Sequence, residues 1–272
     1  MDPLHMALLS AALLATGAVA GLLAGLLGVG GGIVIVPTLY YLFTLLGIDE
    51  TVRMHVAVGT SLATLIPTSI VSMRAHAKRG VVDRDLLKSL GPWIFGGVVI
   101  GTAFAGWVKG PTLTGVFAVI ALLVAANMAL RPEGITLAKD LPPAPYRHAV
   151  AVAVGAFSVM MGIGGGTLTV PILSACSYPI RRAVGTASAI GLLIGLPGAL
   201  GFAWNGIDMP GRPPATLGYV NWIGFLLIVP TTMVLVPVGA RIAHAINPAG
   251  LRKLFALFLF ITSLRMIAAL VK

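Results

Sequence analysis

The stretch Gly28-Val29-Gly30-Gly31-Gly32-Ile33-Val34-Ile35-Val36-Pro37 returns later in the chain as Gly162-Ile163-Gly164-Gly165-Gly166-Thr167-Leu168-Thr169-Val170-Pro171. Glycines and proline keep their frame. Two more elements recur in the same order. Val58-Gly59-Thr60-Ser61-Leu62-Ala63 matches Val184-Gly185-Thr186-Ala187-Ser188-Ala189, and Leu113, Phe117, Ala118 and Met128 match Leu251, Phe255, Ala256 and Met266. An internal repeat of this kind means that one structural unit has been built twice.

Outward from the two glycine clusters, the chain reads as ten apolar segments: 6–27, 33–46, 55–73, 90–108 and 112–130, then 149–161, 167–180, 183–204, 218–240 and 250–271. A bilayer core needs about 20 apolar residues per helix. The runs are continuous rather than alternating, which argues against a membrane β-barrel. The expected fold is an all-α membrane protein, a polytopic helical bundle of two inverted-topology repeats. It would have about 8–10 membrane segments, two of them short and interrupted by glycine. Residues 1–130 form the first transmembrane repeat, 131–148 a polar, proline-rich cytoplasmic linker, and 149–272 the second, inverted repeat. The first apolar segment lacks a basic n-region and is read as a retained helix rather than a cleaved signal.

Composition agrees. Of 272 residues 58% are hydrophobic and 10% charged, where a soluble domain carries about a quarter charged residues. So few charges cannot cover a surface facing water, so the lipid bilayer is the expected surrounding. The net charge of +10 does not point to nucleic acid, because the basic residues sit in short loops and not on one face of a soluble module. The single cysteine, Cys176, precludes an intrachain disulfide; it is expected to be a small buried packing residue. No metal and no cofactor are expected, since the histidines lack ligand spacing.

Charge sets the orientation. With loop 74–88 in the cytoplasm, ten crossings put Arg74, Lys78, Arg79, Arg84, Lys88, Arg131, Lys139, Arg147, Arg181, Arg182, Arg241, Arg252 and Lys253 inside, 13 of 18 basic residues. Arg53, Lys109, Arg212 and Lys272 fall outside, and Arg265 lies within the last segment, where it is expected to snorkel. Both termini then face the periplasm of a bacterial inner membrane. Five segments per repeat turn the second repeat upside down relative to the first, a transporter signature.

Paired short segments opening at glycine clusters point to a substrate site. Glycines permit an unwound backbone, and the helix that follows offers unpaired N–H groups and a positive dipole end to an anion. The candidate substrate-binding residues are therefore Gly30, Gly31, Gly32, Gly164, Gly165 and Gly166, with Thr167. The repeated hydroxyls Thr60, Ser61, Thr186 and Ser188 join them. A bulky residue at Gly31 or Gly165 is expected to abolish binding without unfolding the chain. Gly21/Gly25, Gly97/Gly101 and Gly191/Gly195 read instead as packing glycines. Pro37 and Pro171 should end or redirect the short helices, and Pro67 and Pro197 should kink long ones. His55 is expected to start a helix near the outer interface. The carboxylates all fall in loops or at the terminus, and no nucleophile–base pair or nucleotide motif is present, so no catalytic residues are assigned.

At Gly21–Leu39, Ala57–Ala63, their echoes at Gly155–Leu173 and Ala183–Ala189, and the basic loop ending Arg79–Asp83, the sequence resembles the sulfite exporter TauE/SafE family of membrane permeases. The resemblance covers both repeats. It implies transport of a small anionic substrate, either sulfur-containing or organic, of the sulfite/organosulfonate class, and it carries the family's glycine motifs onto Gly30–Gly32 and Gly164–Gly166. Thr167 departs from Ile33 of the first repeat and could orient the substrate. The expected protein is a secondary transporter working by alternating access, with a passive anion channel as the alternative. A homodimer and the coupling ion, proton or sodium, stay open at this stage.

Overall fold

In hydrocarbon every backbone polar group must pair within its own segment, so long apolar runs become helices. The structure is a computed structural model that describes residues 3–28, 30–130, 138, 140–242 and 248–270, and within these the side chains of all but 3–5, 27 and 248–255. Each of the ten apolar segments is a helix: α1 (Pro3–Leu27), α2 (Gly32–Leu45), α3 (Glu50–Ala77), α4 (Arg84–Trp107), α5 (Gly110–Leu130), α6 (Ala144–Met161), α7 (Gly166–Ala175), α8 (Ile180–Asn205), α9 (Trp222–Ile242) and α10 (Pro248–Leu270). Six of them, α1, α3, α4, α5, α8 and α9, contain stretches long and apolar enough to cross a membrane.

The helices of the two halves interlock. α1 lies along α9, α6 along α4, α5 along α10, and α3 crosses α8. Glycine makes the close approaches. A methyl group placed on Gly21 of α1 would come within 2.7 Å of the Thr232 carbonyl oxygen of α9, and one on Gly155 of α6 within 2.1 Å of that of Ile94 in α4. The reverse contacts match: Gly239 meets Leu22, as Gly101 meets Ala156. Gly191 packs on Ser69 and Gly195 on Leu65. The small residues read as packing sites thus allow close approach, of backbone to backbone at Gly21, Gly25, Gly97 and Gly101 and of backbone to side chain at Gly191 and Gly195.

The two short helices do not reach across. At a rise of 1.5 Å per residue, the 14 residues of α2 and the 10 of α7 cover about 21 and 15 Å, against a hydrocarbon core of about 30 Å. The chain folds back after α1, so that Gly31 lies against Ala20, about two turns before the end of that helix.

Several boundaries differ from the sequence reading, each for a local reason. α3 starts at Glu50 because the Asp49 carboxylate accepts from Thr51 N–H, and α4 starts at Arg84 because Asp83 accepts from Asp85 and Leu86 N–H. The basic loop therefore shrinks to residues 78–83, with Arg74 in α3 and Arg84 and Lys88 in α4. Glu50 and Asp85 stand in first helical turns and not in loops, where the helix dipole favours them. α6 begins at Ala144, inside the expected linker. Pro37 and Pro171 lie within α2 and α7 without ending them; each forfeits one intrahelical hydrogen bond, which the surrounding packing tolerates. The connection between α8 and α9 contains a two-stranded antiparallel hairpin, Thr216–Leu217 with Val220–Asn221. Arg131, Glu133 and Lys139 of the linker, Val29 of the first motif and Lys272 lie outside the described residues, as do the side chains of Leu251, Arg252, Lys253 and Phe255.

The glycine contacts are directly testable. A methyl group on Gly97 would sit 2.0 Å from the Val152 carbonyl oxygen, whereas one on the neighbouring Gly96 meets nothing within 4 Å. Gly97→Ala is expected to cost about 1–3 kcal/mol by overpacking. Gly96→Ala should be neutral or slightly stabilising through helix propensity. Thermal melting of the purified variants reads the difference, and equal midpoints would refute this account of the α4–α6 contact.

Candidate functional site

The two glycine clusters meet each other. A methyl group on Gly30 would lie 3.2 Å from Gly164 Cα, and one on Gly32 would lie 2.2 Å from the Gly162 carbonyl oxygen and 2.9 Å from Ser61 Oγ. Ser61 donates to that same Gly162 carbonyl at 2.6 Å, joining α3 of the first half to the cluster of the second. At the first glycine of each repeated motif, Gly28 abuts Val184 and Gly162 abuts Val58, so this matched pair touches the VGT element of the other half. All residues of both clusters that are described are buried.

The backbones of the two clusters differ. Gly28, Gly30 and Gly31 all have positive φ, of 66°, 74° and 74°, but in the second cluster only Gly162 does, at 66°. Gly31 caps α2 in the left-handed conformation, while Gly165 precedes α7 with right-handed values. This overturns part of the sequence expectation. A side chain at Gly31 would face both a strained φ and the Ala20 carbonyl at 2.8 Å, so its substitution disturbs folding. Gly165 has no such strain and meets only the Ile190 and Ile194 side chains.

The repeated hydroxyls take unequal places. Thr60 Oγ1 accepts from Asn221 N–H at 2.8 Å, and Thr186 Oγ1 accepts from Asp83 N–H at 2.9 Å. These bonds correspond: Asp83 caps α4, and Asn221 Oδ1 accepts from Gly224 N–H at the head of α9. The adjacent glycines follow, with Gly59 against the Tyr219 carbonyl and Gly185 against that of Val81. The Thr60 and Thr186 hydroxyls are thus engaged in ties between the halves. Ser188 donates to Gly185 within its own helix at 2.6 Å, a purely local bond. Of the hydroxyls, Ser61 alone bonds a cluster carbonyl. Thr167, at the first turn of α7, is 2% exposed, and its hydroxyl has no partner.

One end of the molecule carries groups that sequence reading missed. Asp83 accepts a hydrogen bond from the Tyr178 hydroxyl and pairs with Arg182 at 3.1 Å. Leu86 N–H and the Tyr178 hydroxyl hold its carboxyl below the usual range, with Arg182 assisting. Burial and the Asp83 carboxylate push the Tyr178 hydroxyl up to about 12. Tyr178 lies in the connection between α7 and α8 and Arg182 in the first turn of α8, so this latch also joins the halves. The matching end, around Asn221, carries no ion pair among the described residues. There His55 is 3% exposed, its Nε2 3.0 Å from the Ala105 carbonyl and its ring 4.9 Å from that of Tyr219. His55 is therefore a core cross-link and not an interfacial cap, because α3 begins more than a turn earlier. Cys176 is half-buried at the end of α7, and Arg265 lies over the Tyr41 ring at 5.7 Å. Among the described residues no three His, Cys, Asp or Glu side chains gather as a metal site would need.

The latch and the Ser61 bond generate separate expectations. Ser61→Ala should cost about 1–3 kcal/mol by stranding a buried carbonyl, and Ser188→Ala much less. Because the carboxyl of Asp83 is depressed, the latch is complete at neutral pH and is lost as pH falls through that lowered pKa. The phenol is shifted upward, so its share is complete below pH about 10 and is lost as pH rises through about 12. Asp83→Ala should cost about 1–3 kcal/mol at neutral pH through the lost cap and cross-link, and that deficit should shrink in strong acid. Melting curves against pH test this; a deficit independent of pH would show that ionisation of Asp83 plays no part.

Comparison with known proteins places this arrangement. The sulfite exporter TauE/SafE family model matches residues 13–266. A "Probable membrane transporter protein" of Haemophilus influenzae is 35% identical over 255 residues, covering 93% of this chain and 96% of its own length. One from Bacillus subtilis, YunE, is 28% identical over 86% of this chain and 87% of the relative, and one from Methanocaldococcus jannaschii is 26% identical over 94% of each. No solved structure matches the chain. With the family model spanning both halves and relatives of nearly equal length named as transporters, the chain belongs to the sulfite exporter TauE/SafE family of membrane proteins.

Proposed function

We propose that the chain carries small sulfur-containing or organic anions, of the sulfite and organosulfonate class, across a bacterial inner membrane by alternating access. The observation that carries this reading is the meeting of two glycine clusters, each followed by a helix too short to span. The N-terminal ends of α2 and α7 supply backbone N–H groups and positive dipole ends to one buried place. Ser61 and Thr167 add hydroxyls. Described cluster residues are buried from both ends of the bundle, which favours a closed, alternately opened centre over an open anion channel. The ties at the two ends, Asp83–Thr186 with its latch and Asn221–Thr60 with His55, would break in turn as the halves rock. The distribution of basic residues supports a cytoplasmic Asp83 end, periplasmic termini and a second half inverted relative to the first.

Reconstituted protein tests transport directly. Sulfite, sulfoacetate and taurine are offered to proteoliposomes, with malonate and chloride as controls. Saturable uptake that accumulates a sulfur anion against its gradient is the expected result. Flux that rises linearly and stops at equal concentrations would establish a channel, and carriage of malonate or chloride alone would refute the substrate class. Orientation has its own check. With Cys176→Ser as background, Asp208→Cys should react with an impermeant thiol reagent in intact spheroplasts and Lys78→Cys only after lysis. The reverse pattern would invert the topology.

A further inference from the structure

α3 and α8 cross along a seam that leads from the glycine contact to the Asp83 latch. Near the clusters Leu65 meets both sides. Its Cδ2 would lie 2.5 Å from a methyl group on Gly30, and its Cβ 3.0 Å from one on Gly195 of α8. One turn further along α3, Ser69 Oγ would lie 2.5 Å from a methyl group on Gly191. At the far end Gly185 meets the Val81 carbonyl, and Thr186 accepts from Asp83 N–H. Ser61, Leu65, Ser69, Ser72 and His76 follow one another at steps of three and four residues, so they share one face of α3. All five are buried.

Packing does not account for the two serines of that face. Ser69 is 1% and Ser72 2% exposed, and neither hydroxyl has a hydrogen-bond partner. Thr64 and Thr68 show the usual solution, each donating to a carbonyl of its own helix. An unpaired hydroxyl away from water costs free energy, so Ser69 and Ser72 weaken the closed seam. With Thr60 matched to Thr186, their counterparts in α8 are Gly195 and Gly198, which pack on Leu65 and on Leu62 with Val159. The unpaired hydroxyls therefore lie on one side of the glycine contact only, toward the latch. Charge decides which ion suits them. α3 carries no carboxylate after Glu50 and α8 none, while Lys78, Arg79, Arg181 and Arg182 stand at the latch end. A cation would meet those basic residues at the mouth and no counter-charge within the seam. An anion finds guanidinium groups at the mouth and hydroxyl donors inside. We infer that Ser69 and Ser72 are an anion-binding station on the substrate's path between the glycine clusters and the Asp83 end, engaged when the latch parts. The inference rests on the anion site proposed above and adds a second station on one side of it.

Transport of radiolabelled sulfite and sulfoacetate by the full chain, in membrane vesicles of each orientation, tests the station. The face at which Lys78→Cys is labelled identifies the Asp83 side. Ser69→Ala and Ser72→Ala should each raise KM from that side by about tenfold, the loss of one hydrogen bond to a charged group, and leave KM from the opposite side unchanged. Their melting midpoints should equal that of the parent or exceed it, because each change removes an unpaired hydroxyl. Ser263→Ala, which removes a hydroxyl bonded within α10, should leave transport unchanged. Unchanged KM from both sides would overturn the station and leave the anion site standing. A fall in turnover with KM unchanged would show that the serines serve the motion and not the ion, and would overturn it too. So would a lowered midpoint with equal losses from both sides, the mark of a structural role. Failure of the parent protein to carry either anion would remove both this inference and the anion site beneath it.

Discussion

The structure depends on backbone meeting backbone at its centre. Gly32 sits so close to the Gly162 carbonyl that no side chain fits between them, and Ser61 donates to that carbonyl from a third segment. In hydrocarbon there is no hydrophobic drive between helices, so association rests on close packing and on satisfying polar groups. Glycine serves the first need and the Ser61 hydroxyl the second. The same logic runs outward along α1–α9 and α6–α4, where glycines abut carbonyls in matching pairs.

Interlocking follows from these contacts. Each half uses the other as its packing partner: Gly28 against Val184, Gly162 against Val58, Thr60 to Asn221, Thr186 to Asp83. The hydrogen bonds at the two ends are made by corresponding residues, but the groups around them are not alike. One end is held by a carboxylate, a phenol and a guanidinium, and the other by a histidine among aromatic rings. The two ends thus share a framework of hydrogen bonds but differ in charge.

The clusters themselves are also unequal. The first has three glycines of positive φ and closes tightly against α1; the second has one, and the Thr167 and Thr169 hydroxyls of its short helix are buried without a partner. Duplication supplied the scaffold, and divergence at Ile33 and Thr167 gave the two copies different surroundings.

The sequence by itself determined the class of protein, the ten segments and the pairing of glycine motifs. Those properties are local: continuous apolar length, helix punctuation by glycine and proline, and self-similarity in frame. It also separated Gly21, Gly97 and Gly191 correctly as packing glycines, because their four-residue spacing to a second glycine lies on one helix face. Asp83 was legible only as a loop residue, since its partners Tyr178 and Arg182 lie far along the chain and nothing local marks them. Gly31 and Gly165 are identical as letters, yet one is strained and the other is not, because φ is set by the turn each must make. Likewise Thr60, Thr186 and Ser188 share a motif, but only the packing of helices decided which hydroxyl ties the halves together and which bonds its own helix. Tertiary structure made those choices because they depend on which backbone group stands opposite, and that is fixed only when the two halves close on each other.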